Sequence, residues 1–382
     1  MSFPVLYRSD EINFTSRGMG ALRDAIRCAV TEERNGIFEL EAEYPLDGIH
    51  YGDLEPDRII LAPANDIEQW QPFRIYSVRP SLAGTALISA EHVSYQLNHI
   101  GVAPFTAQSA AATMQGLRIH AYDMGPFTLS TDITATRPYK QDIPSTLRQR
   151  LGGEDGSMLD VYGGELEFDR WSVKLLRSRG QDRNVIISYG KNLTTLEQEI
   201  DIASMFTGIY PYYYRNDSEQ GDILVQLPEQ VITVGSGSSY HRIKVIDFTG
   251  DFDDTPTIAQ LRSRALTYLN SNRQTAPKVS LQVSFAALWQ TEEYKNIAPL
   301  ERVGLCDIVT VRYPKLGVDT TAKVVRTVYD CLADRYESLE LGEARQGLDT
   351  TVAGLTGRIA AVVAAVERSG IKCKLPTRLL WT

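Results

Sequence analysis

Hydrophobic and polar positions alternate most cleanly over 37–45, IFELEAEYP, where Phe38, Leu40, Ala42 and Tyr44 are separated by Glu39, Glu41 and Glu43. A period of two puts the apolar set on one face of a strand and the three glutamates on the other. Asn35-Gly36 stands just before this run, and both residues tolerate the positive φ of a type I′ turn, so CAVTE at 28–32 is expected as the partner strand. Apolar, β-rich runs at 58–61, 73–78 and 86–97 follow, and the opening predicts a mainly antiparallel barrel or sandwich.

From about 102 to 155 the pattern weakens into Ala, Thr, Ser, Gln and Pro, with a short helix expected at 143–151 and stopped by Gly152-Gly153. Strand signals resume in GGELEFDRWSVKLLRS, with a turn at Asp169-Arg170, and continue through NVIISYG and YPYYY at 210–214. The polar break GSGSS at 235–239 reads as a flexible turn rather than a phosphate cradle. Thr257 is placed to cap a helix carrying Ile258, Leu261, Ala265, Leu266 and Leu269 on one side, which would bridge two β modules. After Pro277, KVSLQVSFAAL, DIVTVRYP, AKVVRTVYD and YESLELGE supply the second module. Leu348, Val352, Leu355, Ile359, Val362 and Val366 then follow a heptad, read either as a short coiled coil or as a terminal helix packed on its own domain.

The expected divisions are therefore 1–101 with 205–250 as a discontinuous first β domain and 102–204 as an inserted α+β domain. A bridging helical segment follows at 251–276, a second β domain at 277–345, and a C-terminal helix or short coiled coil and tail at 346–382.

At 382 residues, 43% hydrophobic and 23% charged, the composition is that of an ordinary globular chain with room for several cores. A formal charge of -9 repels phosphate backbones and anionic lipid, which argues against tightly held nucleic acid and against a membrane surface. The start has no charged segment leading into an apolar run, and no stretch reaches the ~20 apolar residues of a span, so neither export nor a membrane anchor is expected. Cys28, Cys306, Cys331 and Cys373 are scattered without a CxxC, which reads as isolated, buried thiols in a reducing compartment.

Glu165, Glu167 and Asp169 fall at period two and would share a strand face, as a glycosidase pair or a metal site wants; a solvated strand face is the plainer reading. Asp251, Asp253 and Asp254 lack the glycine and terminal glutamate of a calcium loop. The five histidines, His50, His92, His99, His120 and His241, include no HExxH, and no GxSxG is present. Gly152, Gly153 and Gly156 lack the Lys-Ser/Thr of a P-loop. Arg177, Arg179 and Arg183 with Tyr210, Tyr212, Tyr213 and Tyr214 could bind phosphate or stack on sugars, though strand ends and core edges use the same residue types. The residues thus point to a non-enzymatic, multidomain, β-rich protein with no cofactor and no metal.

The stretch LGGEDGSMLDVYGGELEFDRWSVKLLRSRGQDRNVIISYGKNLTTLEQEID at 151–201 resembles the N-terminal hub region of siphophage and prophage tail-tip proteins, the tail-associated lysin or prophage endopeptidase tail family. AEYPLDGIHYGDLEPDRIILAPA, QPFRIYSV, TGIYPYYY, the 283–330 stretch and RYESLELGE follow in the same family order, so the resemblance spans about 1–345. It implies a baseplate-hub-like fold, mainly β with α+β insertions, in which two tube-type β-barrel domains per chain sit in a homotrimeric ring. Such a ring meets the distal tail protein, the tape measure protein and downstream tail-tip or receptor-binding proteins at the distal end of the virion tail, and lets DNA pass on infection. The chain would be made in the bacterial cytoplasm. Asn35, Gly36, Glu39, Glu41 and Glu43 are the ring or lumen candidates, an ordinary solvent face being the plainer reading of the three glutamates, with the strands at 279–285 and 306–313 as further ring-forming elements. About 37 residues follow Arg345, too few for an enzymatic domain, so the lytic activity of longer relatives is not expected here. The alternatives from other classes are a peptidoglycan-degrading tail lysin using Glu165, Glu167 or Asp169, and a carbohydrate-binding tail module using the 210–214 tyrosines.

Overall fold

The Asn35 turn organises the first sheet, as the alternation around it predicts. Its strands are β1 (Val5–Tyr7), β2 (Gly20–Ala21), β3 (Arg27–Glu33), β4 (Phe38–Pro45), β5 (Ile59–Ala62), β6 (Gln71–Pro80) and β7 (Thr85–His92). The structure is a computed structural model that describes residues 3–343 apart from 66, 68–69, 155, 190–191, 202–205, 218–220, 234–241, 253, 272–277, 286–301 and 317. In register, β3 pairs antiparallel with β4 from Arg27 opposite Glu43 to Glu32 opposite Phe38, and β4 pairs with β7 on its other edge. Phe38, Leu40, Ala42 and Tyr44 are buried while Glu41 is exposed, which is the alternation turned into a core face and a wet face. The turn differs from type I′. Asn35 alone has positive φ, 58°, and Glu33 N–H closes the loop on Ile37 O at 2.8 Å.

The middle of the chain holds β8 (Gly101–Val102), β9 (Phe105–Ala107), β10 (Thr128–Thr131), β11 (Tyr139–Gln141), β12 (Ser145–Thr146), β13 (Glu165–Asp169) and β14 (Ser172–Leu176). Three helices lie among them: α1 (Ala110–His120), α2 (Leu147–Leu151) and α3 (Met158–Tyr162). The helix expected at 143–151 is thus shorter at its start, because 145–146 pairs with β8 and Thr146 forms a capping box with Gln149. β13 and β14 form the hairpin expected around Asp169-Arg170, with Arg170 at φ 51°. Leu147, Leu151, Met158, Leu166, Phe168, Val173 and Leu175 join Val30, Leu40, Phe73 and Ile88 in one apolar cluster, so this segment packs on the first sheet.

The rest comprises β15 (Asp182–Ser188), β16 (Leu193–Asp201), β17 (Gly208–Asp217), β18 (Gly221–Gln226), β19 (Ile232–Thr233), β20 (Ile243–Asp247), α4 (Ile258–Ser271), β21 (Lys278–Phe285), β22 (Ile308–Tyr313), β23 (Val318–Asp330) and β24 (Arg335–Glu343). Thr257 and Gln260 form the expected cap of α4, and Leu261, Ala265 and Leu269 are buried with Ile209, Leu227 and Phe248 of a small sheet made by β17 to β20. Ile258 and Leu266, assigned to the same apolar side by spacing, are exposed. β15 and β16 pair with β22 and β21, and the second apolar cluster holds Val185, Ile187, Val283, Val309, Val311, Val324, Tyr329 and Leu339.

The class is mainly β. The barrels are not found: among the described residues one thirteen-stranded sheet runs open along β16-β21-β24-β23-β3-β4-β7-β6-β5-β1-β2, with β22 and β15 branching from β23. Long β23 makes this possible, since 318–323 pairs with β22 and 326–330 with β3, and so joins the two modules through one strand. The heptad at 348–366, GSGSS at 235–239, Asp253, His241 and Cys373 lie outside the described residues.

Candidate functional site

On the wet face of β4 the three glutamates stand in the middle of the sheet. Glu39 lies opposite Glu91 of β7, Glu41 opposite Ser89, and Glu43 opposite Leu87 and Arg27. Burial, and then the Glu39 carboxylate, raise the Glu91 carboxyl above its ordinary value. The Tyr95 hydroxyl donates to Glu39 Oε1 at 3.1 Å and is itself pushed up to about 12, chiefly by burial. Arg74, opposite Glu91, and the Arg326–Glu33 pair flank the stripe, so it is an acidic band edged by arginines.

Asn35 and Gly36 make contacts within the chain. The Asn35 amide donates to Gly164 O at 3.1 Å and accepts from Leu166 N–H at 2.7 Å, so the turn grips the start of β13 as another strand would. Arg148 of α2 donates to Gly36 O at 3.3 Å, with its guanidinium 4.6 Å from the Phe168 ring and 5.1 Å from Tyr95.

The carboxylates of β13 are not a solvated face. Glu165 is buried and accepts from Lys323 Nζ at 2.6 Å and from Arg179 N–H at 2.7 Å. Arg179, equally buried, donates to Glu32 Oε1 at 2.6 Å, while Lys174 takes Glu167 at 2.7 Å and Asp169 accepts from the Gln71 amide at 3.0 Å. Burial raises the Glu165 pKa, but the Lys323 and Arg179 hydrogen bonds outweigh it, so the carboxyl ends below its ordinary value. A general acid needs the opposite shift. What the sequence does not reveal is that this cluster is a junction, where Glu32 of β3, Lys323 of β23 and the segment after β14 meet. Lys and Arg at distant positions carry no spacing signal.

His92 is also buried. Its ring stacks on Phe38 at 4.4 Å, Nδ1 accepts from Ser94 N–H, and Nε2 faces Gln71 Oε1 at 3.2 Å. Burial, then the Arg148 and Arg179 charges, hold its pKa well below 6.5. Both His92 and Glu165 are depressed in the fold, so each contributes stability above its unfolded pKa that is lost as pH falls through its folded value. Unfolding free energy is expected to decline with acidification starting near pH 6.5, and more steeply once carboxylates titrate, near 4.5 and below. Denaturant titrations between pH 8 and about 3.5 check this, with His92→Gln removing the part of the slope that begins near neutrality; a flat profile would contradict it.

The remaining candidates separate. The alternation in β17 puts Tyr210, Tyr212 and Tyr214 on one face and Tyr213, which is buried, on the other. The Arg179 guanidinium pairs with Glu32, and its backbone N–H donates to Glu165. Asp251 pairs with Arg264 at 2.8 Å. Among the described residues no group of three or more His, Cys, Asp and Glu could hold a metal, and no helix is long and apolar enough to cross a membrane. Two open depressions of about 350 and 420 Å³ on the N-terminal loops include none of the β13 carboxylates.

Comparison with known proteins bears on the whole arrangement. Residues 181–352 match the family model described as prophage endopeptidase tail. The chain resembles the prophage tail proteins. Prophage tail protein gp18 from Listeria monocytogenes shares 15% identity over 95% of this chain and all of that one, with a TM-score of 0.53. The tail protein from Neisseria meningitidis shares 12% over 90% of this chain and 96% of that one, at 0.55. The 43 kDa tail protein of prophage MuSo2 from Shewanella oneidensis shares 12% over 83% and 93%, at 0.52. At such identities the common property is the fold. No curated protein matches the sequence.

Proposed function

We propose that this chain is a structural virion protein, the tail-tip or baseplate hub of a long-tailed phage or prophage, acting by assembly rather than catalysis. The observation that carries this is a fold shared with prophage tail proteins across 83–95% of the chain. Three copies would close a ring through heterologous contacts and present six similar β modules to a tube partner. In this reading the tube-like parts are β1–β7 and β21–β24, the latter completed by β15 and β16, while β17–β20 with α4 form a small sheet of their own rather than part of the first module as the expected 1–101 with 205–250 division has it. The partners are the distal tail protein, the tape measure protein and downstream receptor-binding proteins.

DNA would pass through the ring without being held. Net charge supports this, and the band of Glu39, Glu41, Glu43 and Glu91 is the part of the surface suited to face it. The pairing of Glu165, Glu167 and Asp169 with Lys323, Lys174 and Gln71 favours a structural junction over a hydrolytic pair. Immunogold labelling of intact particles with antibody against the chain tests the location. Label confined to the distal tail end is expected; label along the tail, on the head, or absent from particles would overturn it.

A further inference from the structure

The four cysteines are dispersed in sequence, yet two of them meet. Cys28 is the second residue of β3, and Cys331 follows directly on β23. The β3–β23 ladder pairs Ala29 with Asp330, and one further step of the same register sets Cys28 opposite Cys331. The ladder continues through them: Cys331 N–H donates to Cys28 O at 2.8 Å. Both side chains enter the same apolar cluster and both are about 1% exposed, and the Cys331 thiol donates to Pro63 O at 3.2 Å. Directly opposed antiparallel residues have Cα atoms about 4.5–5.5 Å apart, inside the window of about 4.4–6.8 Å that a disulfide spans. Cys306 belongs to the other cluster.

We propose that Cys28 and Cys331 are a disulfide-forming pair, closed by peroxide-class oxidants, that covalently ties β3 of the first module to the end of β23. One sulfur displaces hydroxide from hydrogen peroxide, giving a sulfenic acid and, with the thiol proton, one water. The second thiol attacks that sulfur, the S–S bond forms, and the sulfenic oxygen leaves as a second water. Two thiols lose two electrons and two protons, and one peroxide is reduced to two waters. Burial, and then the neighbouring Cys28 thiol, push the Cys331 thiol well above its ordinary pKa, so it is protonated and the reaction waits on local opening. The gain in the virion, a joint that sets once the particle leaves a reducing cytoplasm, rests on the reading above; the chemistry does not.

The test uses the full-length chain, reduced, exchanged into buffer and exposed to hydrogen peroxide under native conditions, then alkylated in denaturant and mapped by peptide mass. The expected result is one cross-linked peptide pair holding Cys28 and Cys331, two hydrogens lighter than the sum. The thermal midpoint should rise by several degrees and return on reduction with dithiothreitol. Cys28→Ser and, separately, Cys331→Ala should abolish both the cross-link and the shift. Alkylation of both cysteines after peroxide, or their conversion to sulfinic acids without a cross-link, would overturn the proposal. Either result leaves the tail-protein reading standing, because that is decided on particles.

Discussion

Replacing Arg179 by methionine is expected to cost the fold about 3–5 kcal/mol, the range for stranding one member of a buried ion pair. The Arg179 and Glu32 side chains are 5% and 3% exposed, and their 2.6 Å contact holds a carboxylate that water does not reach. Glu167 stands 3.9 Å from the same guanidinium, and Glu165 accepts from the Arg179 backbone, so the junction loses an organising cation. Urea unfolding at pH 7 reads the loss directly. Adding Glu32→Met should recover much of it, because removing both charges leaves nothing unpaired. A loss under about 1 kcal/mol for Arg179→Met, the range of an exposed pair, would mean that the junction is solvated.

Gly180→Ala, one residue on, should be nearly as severe for a different reason. Gly180 has φ +86°, where a side chain strains the backbone by about 1–3 kcal/mol. Its added Cβ would also overlap the Cys306 carbonyl and the Asp307 nitrogen, which are backbone and cannot rotate away. The chain is pinned there: Gln181 N–H donates to Asp307 Oδ1 at 2.7 Å, and Ile308 N–H to Gln181 O at 3.0 Å. Moving 180 therefore breaks the lead-in to the β15–β22 ladder. Gly153→Ala is the control, since φ is +96° but nothing lies within 4 Å of the new methyl. Thermal midpoints of the two variants check the argument. Equal shifts would show that backbone strain alone acts at 180.

The β3–β4 hairpin, the β13–β14 hairpin and α4 were legible because each is written in a short window: alternation, a turn residue, a capping Thr. Periodicity placed Leu261, Ala265 and Leu269 inward but could not tell that Ile258 and Leu266 lie at the rim, which depends on how wide a sheet α4 meets. The missed features are non-local. Nothing near Glu165 announces Lys323, 158 positions away, so a strand face that reads as wet is partly buried. Cys28 and Cys331 likewise look solitary until β23 reaches across to β3. Local pattern also says nothing about closure, and the expected barrels are, among the described residues, one open sheet joined through β23.

The central claim of the proposed function is that the working unit is a ring of three. Its most direct test is the mass of the purified chain with and without the distal tail protein, by size-exclusion chromatography with light scattering over a concentration series. The account predicts a species of ~128 kDa, three copies of the 42.6 kDa chain, formed alone or on that partner. A chain that stays at 42.6 kDa at every concentration, with the partner present, would contradict it.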